Sequence, residues 1–243
     1  MRALPLTAAL LGALVSVSGC GHGDSSVTPS PSDSPSTRVT SSSPEPTEQL
    51  SATITPPGSP SSVSLLDRLL PTGEVAGLNS AWKWQDGDTG QPTTDPFGVC
   101  AKADLLSIGA TEVVERTYFP PDDSDDNAAE QVADFPDAAT AARTWAVLKS
   151  WHDTCARTAA TDHPGLKVGA LTPVPVGAGS GRWYLVSWQP AGEETGRFEA
   201  FGMVLNGTRL AVLRIDNSGQ GRDYPSGKDP MVSTVTAAAG WLT

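Results

Sequence analysis

The chain has 243 residues, with 27 acidic and 16 basic side chains, a formal charge of -11, three Cys and three His. So acidic a chain does not suit non-specific nucleic-acid binding, which needs Lys and Arg to neutralise phosphates. Three Cys exclude a disulfide-dense scaffold and a four-cysteine zinc site, and three His leave little room for metal or acid–base chemistry.

Arg2 is the only charge before Cys20, and an apolar run from Ala3 to Val15 separates them. A basic start, a short apolar core and small residues describe a secretory signal. The run is shorter than the roughly 20 residues a membrane-spanning helix needs. Val17-Ser18-Gly19-Cys20 resembles the lipobox of bacterial lipoproteins. That resemblance implies a signal peptide over residues 1–19, cleaved just before Cys20. It also implies a diacylglycerol on the Cys20 thiol, which anchors the chain to the membrane on its extracytoplasmic face. Two acyl chains suffice for stable anchoring, at about 0.8 kcal/mol per buried methylene.

From Gly21 to Ser62, Ser, Thr and Pro supply 27 of 42 residues, and there is no aromatic residue. Such a segment cannot bury enough apolar surface to offset its chain entropy. Residues 20–62 therefore read as a lipid-anchored, disordered tether. All fifteen aromatic residues fall later, so residues 63–243 read as one folded domain with 14 basic and 23 acidic side chains, a net charge of -9.

Within it, Leu65, Leu66, Leu69 and Leu70 predict a short helix that Pro71 ends. Trp82-Lys83-Trp84 alternates like a short strand, and Ala101–Ile108 reads as a turn or two of helix. Glu112–Tyr118 and Glu130–Phe135 read as strands on either side of an acidic loop, Asp122-Asp123-Ser124-Asp125-Asp126. Asp137 is placed to cap a long helix to about Thr158, with Ala138, Ala142, Trp145, Leu148, Trp151 or His152, and Cys155 on its apolar face. Arg182–Gln189, Phe198–Asn206 and Arg209–Ile215 read as strands, the last two joined by a tight turn at Asn206-Gly207. A helix from about Asp229 to Leu242 closes the chain. Hairpins plus two or three helices predict an α+β fold with a mostly antiparallel sheet.

With Cys20 assigned to lipid, Cys100 and Cys155 remain. An even pair in an exported protein usually forms a disulfide. Two buried thiols or a redox pair are the alternatives, although a redox pair usually sits as Cys-x-x-Cys.

Catalytic signals are sparse. No Gly-x-Ser-x-Gly elbow occurs, His152 falls on the long helix, and His163 falls in a loop. The acidic run lacks the glycine and the glutamate of an EF-hand loop. No catalytic residue, metal or cofactor is expected. Aromatic side chains are the candidates for a ligand cleft: Trp82, Trp84, Trp183 and Trp188, together with Arg222, Asp223 and Tyr224 of the loop before the last helix.

Leu69-Leu70-Pro71 with Gly73-Glu74-Val75, Phe97-Gly98-Val99-Cys100, Ile108-Gly109-Ala110 and Val132-Ala133-Asp134-Phe135-Pro136-Asp137-Ala138 recur in an ordered set. Trp151 with Cys155, Trp183-Tyr184, Gly202-Met203, Ala211-Val212-Leu213-Arg214 and Asp223-Tyr224-Pro225 complete it. Over most of residues 65–242 the chain resembles the actinobacterial sensor-domain family named for the extracellular domain of PknH-type serine/threonine kinases. The resemblance implies an extracytoplasmic, non-enzymatic α+β domain with a cleft for an unidentified envelope ligand, and it supports a Cys100–Cys155 link. Here a lipid replaces the kinase form's transmembrane helix, no kinase domain is seen, and one disulfide replaces two. Any signal would then pass through a partner protein. The alternatives are a scaffolding lipoprotein that docks an envelope protein, and an envelope hydrolase using His152 or His163.

Overall fold

The computed structural model describes residues 64–219 and 221–243. The expected signal peptide, the lipidated Cys20 and the tether lie outside the described residues. Among the described residues eight strands form: β1 (Gln85–Gly90), β2 (Glu112–Phe119), β3 (Asn127–Asp134), β4 (Lys167–Val168), β5 (Thr172–Val174), β6 (Ser180–Trp188), β7 (Gly196–Asn206) and β8 (Arg209–Gly219). The helices are α1 (Ala138–Thr158) and α2 (Pro230–Trp241), with short 3-10 turns at Leu65–Arg68 and Thr72–Glu74.

The strands make one sheet in the order β1-β2-β3-β8-β7-β6-β4, with β5 also pairing β6. Every pairing is antiparallel, so the fold is α+β as the sequence predicts. Successive side chains point to opposite faces, and both faces are covered. On one face Val132, Ala200, Val204, Ala211 and Leu213 pack with Met231, Val235 and Ala238 of α2 and with Leu65, Leu69 and Leu70. On the other, Ala133, Met203, Leu210 and Val212 pack with Ala141, Leu148 and Cys155 of α1. Burial on both sides explains why the central strands lack the alternation of a half-exposed antiparallel sheet.

Close packing of α2 depends on a missing side chain. A Cβ at Gly202 would meet Met231 Sδ and Val235 Cγ2, each at 2.5 Å. Asp229 caps α2 by accepting from Met231 N at 2.9 Å, and Pro230 stands in its first turn, where no hydrogen bond is lost. Asp137 caps α1 by accepting from Thr140 N at 2.7 Å. Cys100 and Cys155 are disulfide-bonded, with Cα atoms 5.1 Å apart.

Several local expectations need correction. Trp82–Trp84 is not a strand; β1 begins at Gln85, after the two indoles have packed inward. Ala101–Ile108 forms turns, with no helix. In α1, Ala138 and Ala142 are exposed, while Ala141 and Thr144 face the core. Thr144 buries its hydroxyl by donating to Ile108 O at 2.8 Å, which a periodicity of apolar residues cannot register. The hairpin loop is Gly207-Thr208, because Asn206 and Arg209 are paired across β7 and β8. Only Gly207 has a positive φ, +60°, so the two-residue loop needs glycine at its first position alone.

Candidate functional site

The register of β3, β8, β7 and β6 builds the site in rungs. Asn127, Asp216, Glu199 and Val186 are successive neighbours across the four strands, so their side chains share the α1 face. One rung inward lie Ala129, Arg214, Phe201 and Tyr184, and one rung outward Ser218, Arg197 and Trp188. The inner rung is aromatic, with Tyr184 stacked on Phe201 at 5.1 Å between ring centroids.

The loop before Cys100 closes over this end of the sheet. Phe97 packs edge-on against Phe201, and the Arg214 guanidinium lies 5.3 Å from its ring centroid. Val99 N donates to both Glu199 oxygens, at 2.9 and 3.0 Å. Gly98 makes the approach possible. Its φ is +93°, and a Cβ there would sit 3.1 Å from both Glu199 Oε1 and the Phe201 ring. The disulfide ties the end of this loop to α1. Phe97-Gly98-Val99-Cys100 is therefore a clamp over a buried carboxyl.

Glu199 is 3% exposed. Desolvation pushes its carboxyl up to about 8, and the facing Asp216 pushes the same way, while Val99 N–H and Arg214 oppose them. Asp216 is also raised, first by burial, although Arg214 Nε lies 2.9 Å from its carboxylate. Beside the pair opens a hollow of about 340 Å³ lined by Asp125, Asn127, Trp188, Pro190, Arg197, Phe198, Glu199, Asp216 and Asn217. That volume falls within the range of small-molecule sites, and it combines apolar wall with shifted carboxyls.

A second hollow of about 470 Å³ lies on the α2 face, among Trp183, Leu185, Arg222, Tyr224 and Val232. Three sequence candidates, Trp183, Arg222 and Tyr224, meet there, and the polar atoms of the last two are committed. Arg222 forms a two-point ion pair with Asp229, at 3.0 and 3.1 Å, and also donates to Asn217. Its side chain is 1% exposed. Tyr224 donates to Leu78 O at 2.6 Å, and Asp223 is exposed. Trp84 is a core residue whose Nε1 donates to Ala76 O at 3.0 Å, and Trp82 packs edge-on against it. Of the seven candidates, Trp188 alone borders the hollow beside Glu199.

His152 hydrogen-bonds Gly169 O at 2.8 Å and Asp153 at 3.2 Å, and its ring lies against Tyr184. The His163 ring meets Trp188 edge-on at 4.7 Å between centroids. Neither pairs with a hydroxyl or thiol nucleophile among the described residues, where no group of three His, Cys, Asp or Glu is placed to hold a metal ion.

Asn127, Arg197, Glu199, Arg214 and Asp216 are not among the residues that sequence pattern singles out. A signal for some of them existed. Arg214 and Asp216 continue, at a period of two, the face that Leu210 and Val212 begin. Charges on an otherwise buried strand face mark a place where the core gives way to a polar site. The chain matches no protein-family profile and is not similar to any curated protein compared with it.

Proposed function

We propose that the chain is an extracytoplasmic ligand-binding domain, held to the membrane through a lipidated Cys20 and a Ser/Thr/Pro-rich tether, that senses an envelope component without transforming it. The observation that carries this reading is the hollow beside Trp188. It sits at an open end of the sheet, its floor is buried polar side chain, and a disulfide-tied loop holds that floor in shape. Preorganised polar groups beside an aromatic wall are what a small ligand needs. The disulfide is in keeping with export, and the resemblance to PknH-type extracellular domains points the same way.

Thermal unfolding of the purified full chain in detergent, with and without a soluble peptidoglycan digest, tests the reading. A ligand at 100 times its dissociation constant adds about 2.7 kcal/mol, several degrees for a domain of this size. Trp188→Ala should abolish the shift. No shift with this or any other envelope fraction contradicts the reading. The anchor is tested separately: labelled palmitate should enter the chain in cells and fail to enter Cys20→Ser.

A further inference from the structure

We propose that the hollow beside Trp188 takes a ligand bearing a primary ammonium group, held by the Glu199 and Asp216 carboxylates with its carbon body against the indole. This rests on the ligand-binding reading above and adds the chemistry of the ligand.

With Glu199 ionised, the floor of the hollow has more acceptors and more negative charge than the protein itself satisfies. Glu199 and Asp216 stand directly opposite each other on β7 and β8. Like charges in that relation repel. The nearby guanidinium, Arg214, lies with Nε 2.9 Å from Asp216 without forming a hydrogen bond there, and its Nη2 donates to Asn127 Oδ1 at 3.4 Å. Glu199 has no ion-pair partner among the described residues, and its two oxygens share a single N–H, from Val99. A carboxylate offers about four acceptor sites, and an ammonium brings three donors and the missing charge.

The walls point the same way. Asp125 adds a third carboxylate, and Asn127, whose Oδ1 already accepts from Arg214 Nη2, completes the acidic wall. The hollow's own cation, Arg197, is held by Glu193 at 3.2 Å. An anionic ligand would face three carboxyls and a guanidinium already engaged. A neutral ligand would supply nothing to balance Glu199 once it ionises, and would leave it protonated. Trp188 supplies the aromatic face on which cations are bound best.

Without a ligand, burial keeps Glu199 protonated well above the usual carboxylate range. The groups that face it are Asp216 and Arg214 from β8, Tyr184 from β6 and the Val99 amide from the loop; Arg222 and Asp126 act in turn on Asp216. A bound cation must expel the Glu199 proton, so affinity rises with pH until Glu199 ionises unaided, near pH 8.

The test uses the full chain in detergent with three probes: the peptidoglycan digest, the same digest N-acetylated with acetic anhydride, and spermidine. The untreated digest and spermidine should raise the unfolding temperature, and acetylation should remove the effect. Spermidine affinity should rise about tenfold from pH 6 to pH 7. Glu199→Gln should remove that rise while still unfolding in one transition. A shift that survives acetylation overturns the ammonium class and leaves the site standing. Spermidine binding that ignores both pH and Glu199→Gln is a counter-ion effect of an acidic surface and overturns the proposal. No response to any probe removes it together with the binding reading.

Discussion

Glu130 is a buried acid whose cost should appear directly in the pH dependence of stability. It sits on the α2 face of β3, 0% exposed. One oxygen accepts from Leu70 N at 2.6 Å and from the Tyr118 hydroxyl at 3.3 Å, and the other has no partner. Burial pushes the Glu130 carboxyl up from an ordinary 4.5 to about 7, against the pull of the Leu70 amide, Tyr118 and Arg116. The folded state therefore holds a proton that the unfolded state has released. Stability from this group is complete below about pH 4.5 and is lost as pH rises through about 7. Integrated from pH 5 to pH 8, the loss is about 2–3 kcal/mol. That is a fall of about 5–10 °C in Tm for a domain of this size. Glu199 and Asp216, also raised, add to the fall with the same sign. Urea unfolding of the wild type and of Glu130→Gln at pH 5 and pH 8 measures the difference. The amide keeps an acceptor for Leu70 N and carries no titrating proton. The variant should lose about 2–3 kcal/mol less than the wild type over this range. Wild-type stability that rises between pH 5 and 8, or an equal fall in both proteins, refutes the reasoning.

Three further outcomes follow from the packing. The Cys100–Cys155 bond spans 55 residues, so Cys100→Ser with Cys155→Ser should lose about 4 kcal/mol, read as a lower urea midpoint that dithiothreitol reproduces in the wild type. Gly98→Ala places a side chain where φ is +93° and the Glu199 carboxyl is 3.1 Å away, and should cost about 1–3 kcal/mol and reduce hydrogen-exchange protection at the Val99 amide. Asp229→Ala removes both the cap of α2 and the partner of a 1%-exposed Arg222, and should cost about 3–5 kcal/mol by denaturant unfolding.

The sequence carried the fold further than the site. The long helix was legible because Asp137 marks its start, and Gly207 placed the main hairpin to within one residue. β1, β4 and β5 carried no comparable signal. β4 and β5 are two and three residues long, and β1 reads Gln-Asp-Gly-Asp-Thr-Gly, with five of its six residues exposed. Those segments are strands because an adjacent edge offers hydrogen bonds, which no local pattern records. The site was harder to see, because it is made by register. Glu199 and Asp216 are 17 positions apart and become neighbours only when β7 and β8 pair. Trp188 was legible as an aromatic residue worth testing, but nothing local separates it from Trp84, which turns inward and fills the core.

The seven Trp residues report directly on whether a ligand enters the hollow between Trp188 and Glu199. With the full chain labelled at the indole nitrogens, a peptidoglycan digest is titrated and each Nε1–H resonance is followed by NMR. The Trp188 signal should move in proportion to bound ligand while those of Trp82, Trp84 and Trp241 stay in place. Movement of Trp183 with Trp188 unchanged would put the ligand on the opposite face of the sheet and contradict binding beside Trp188.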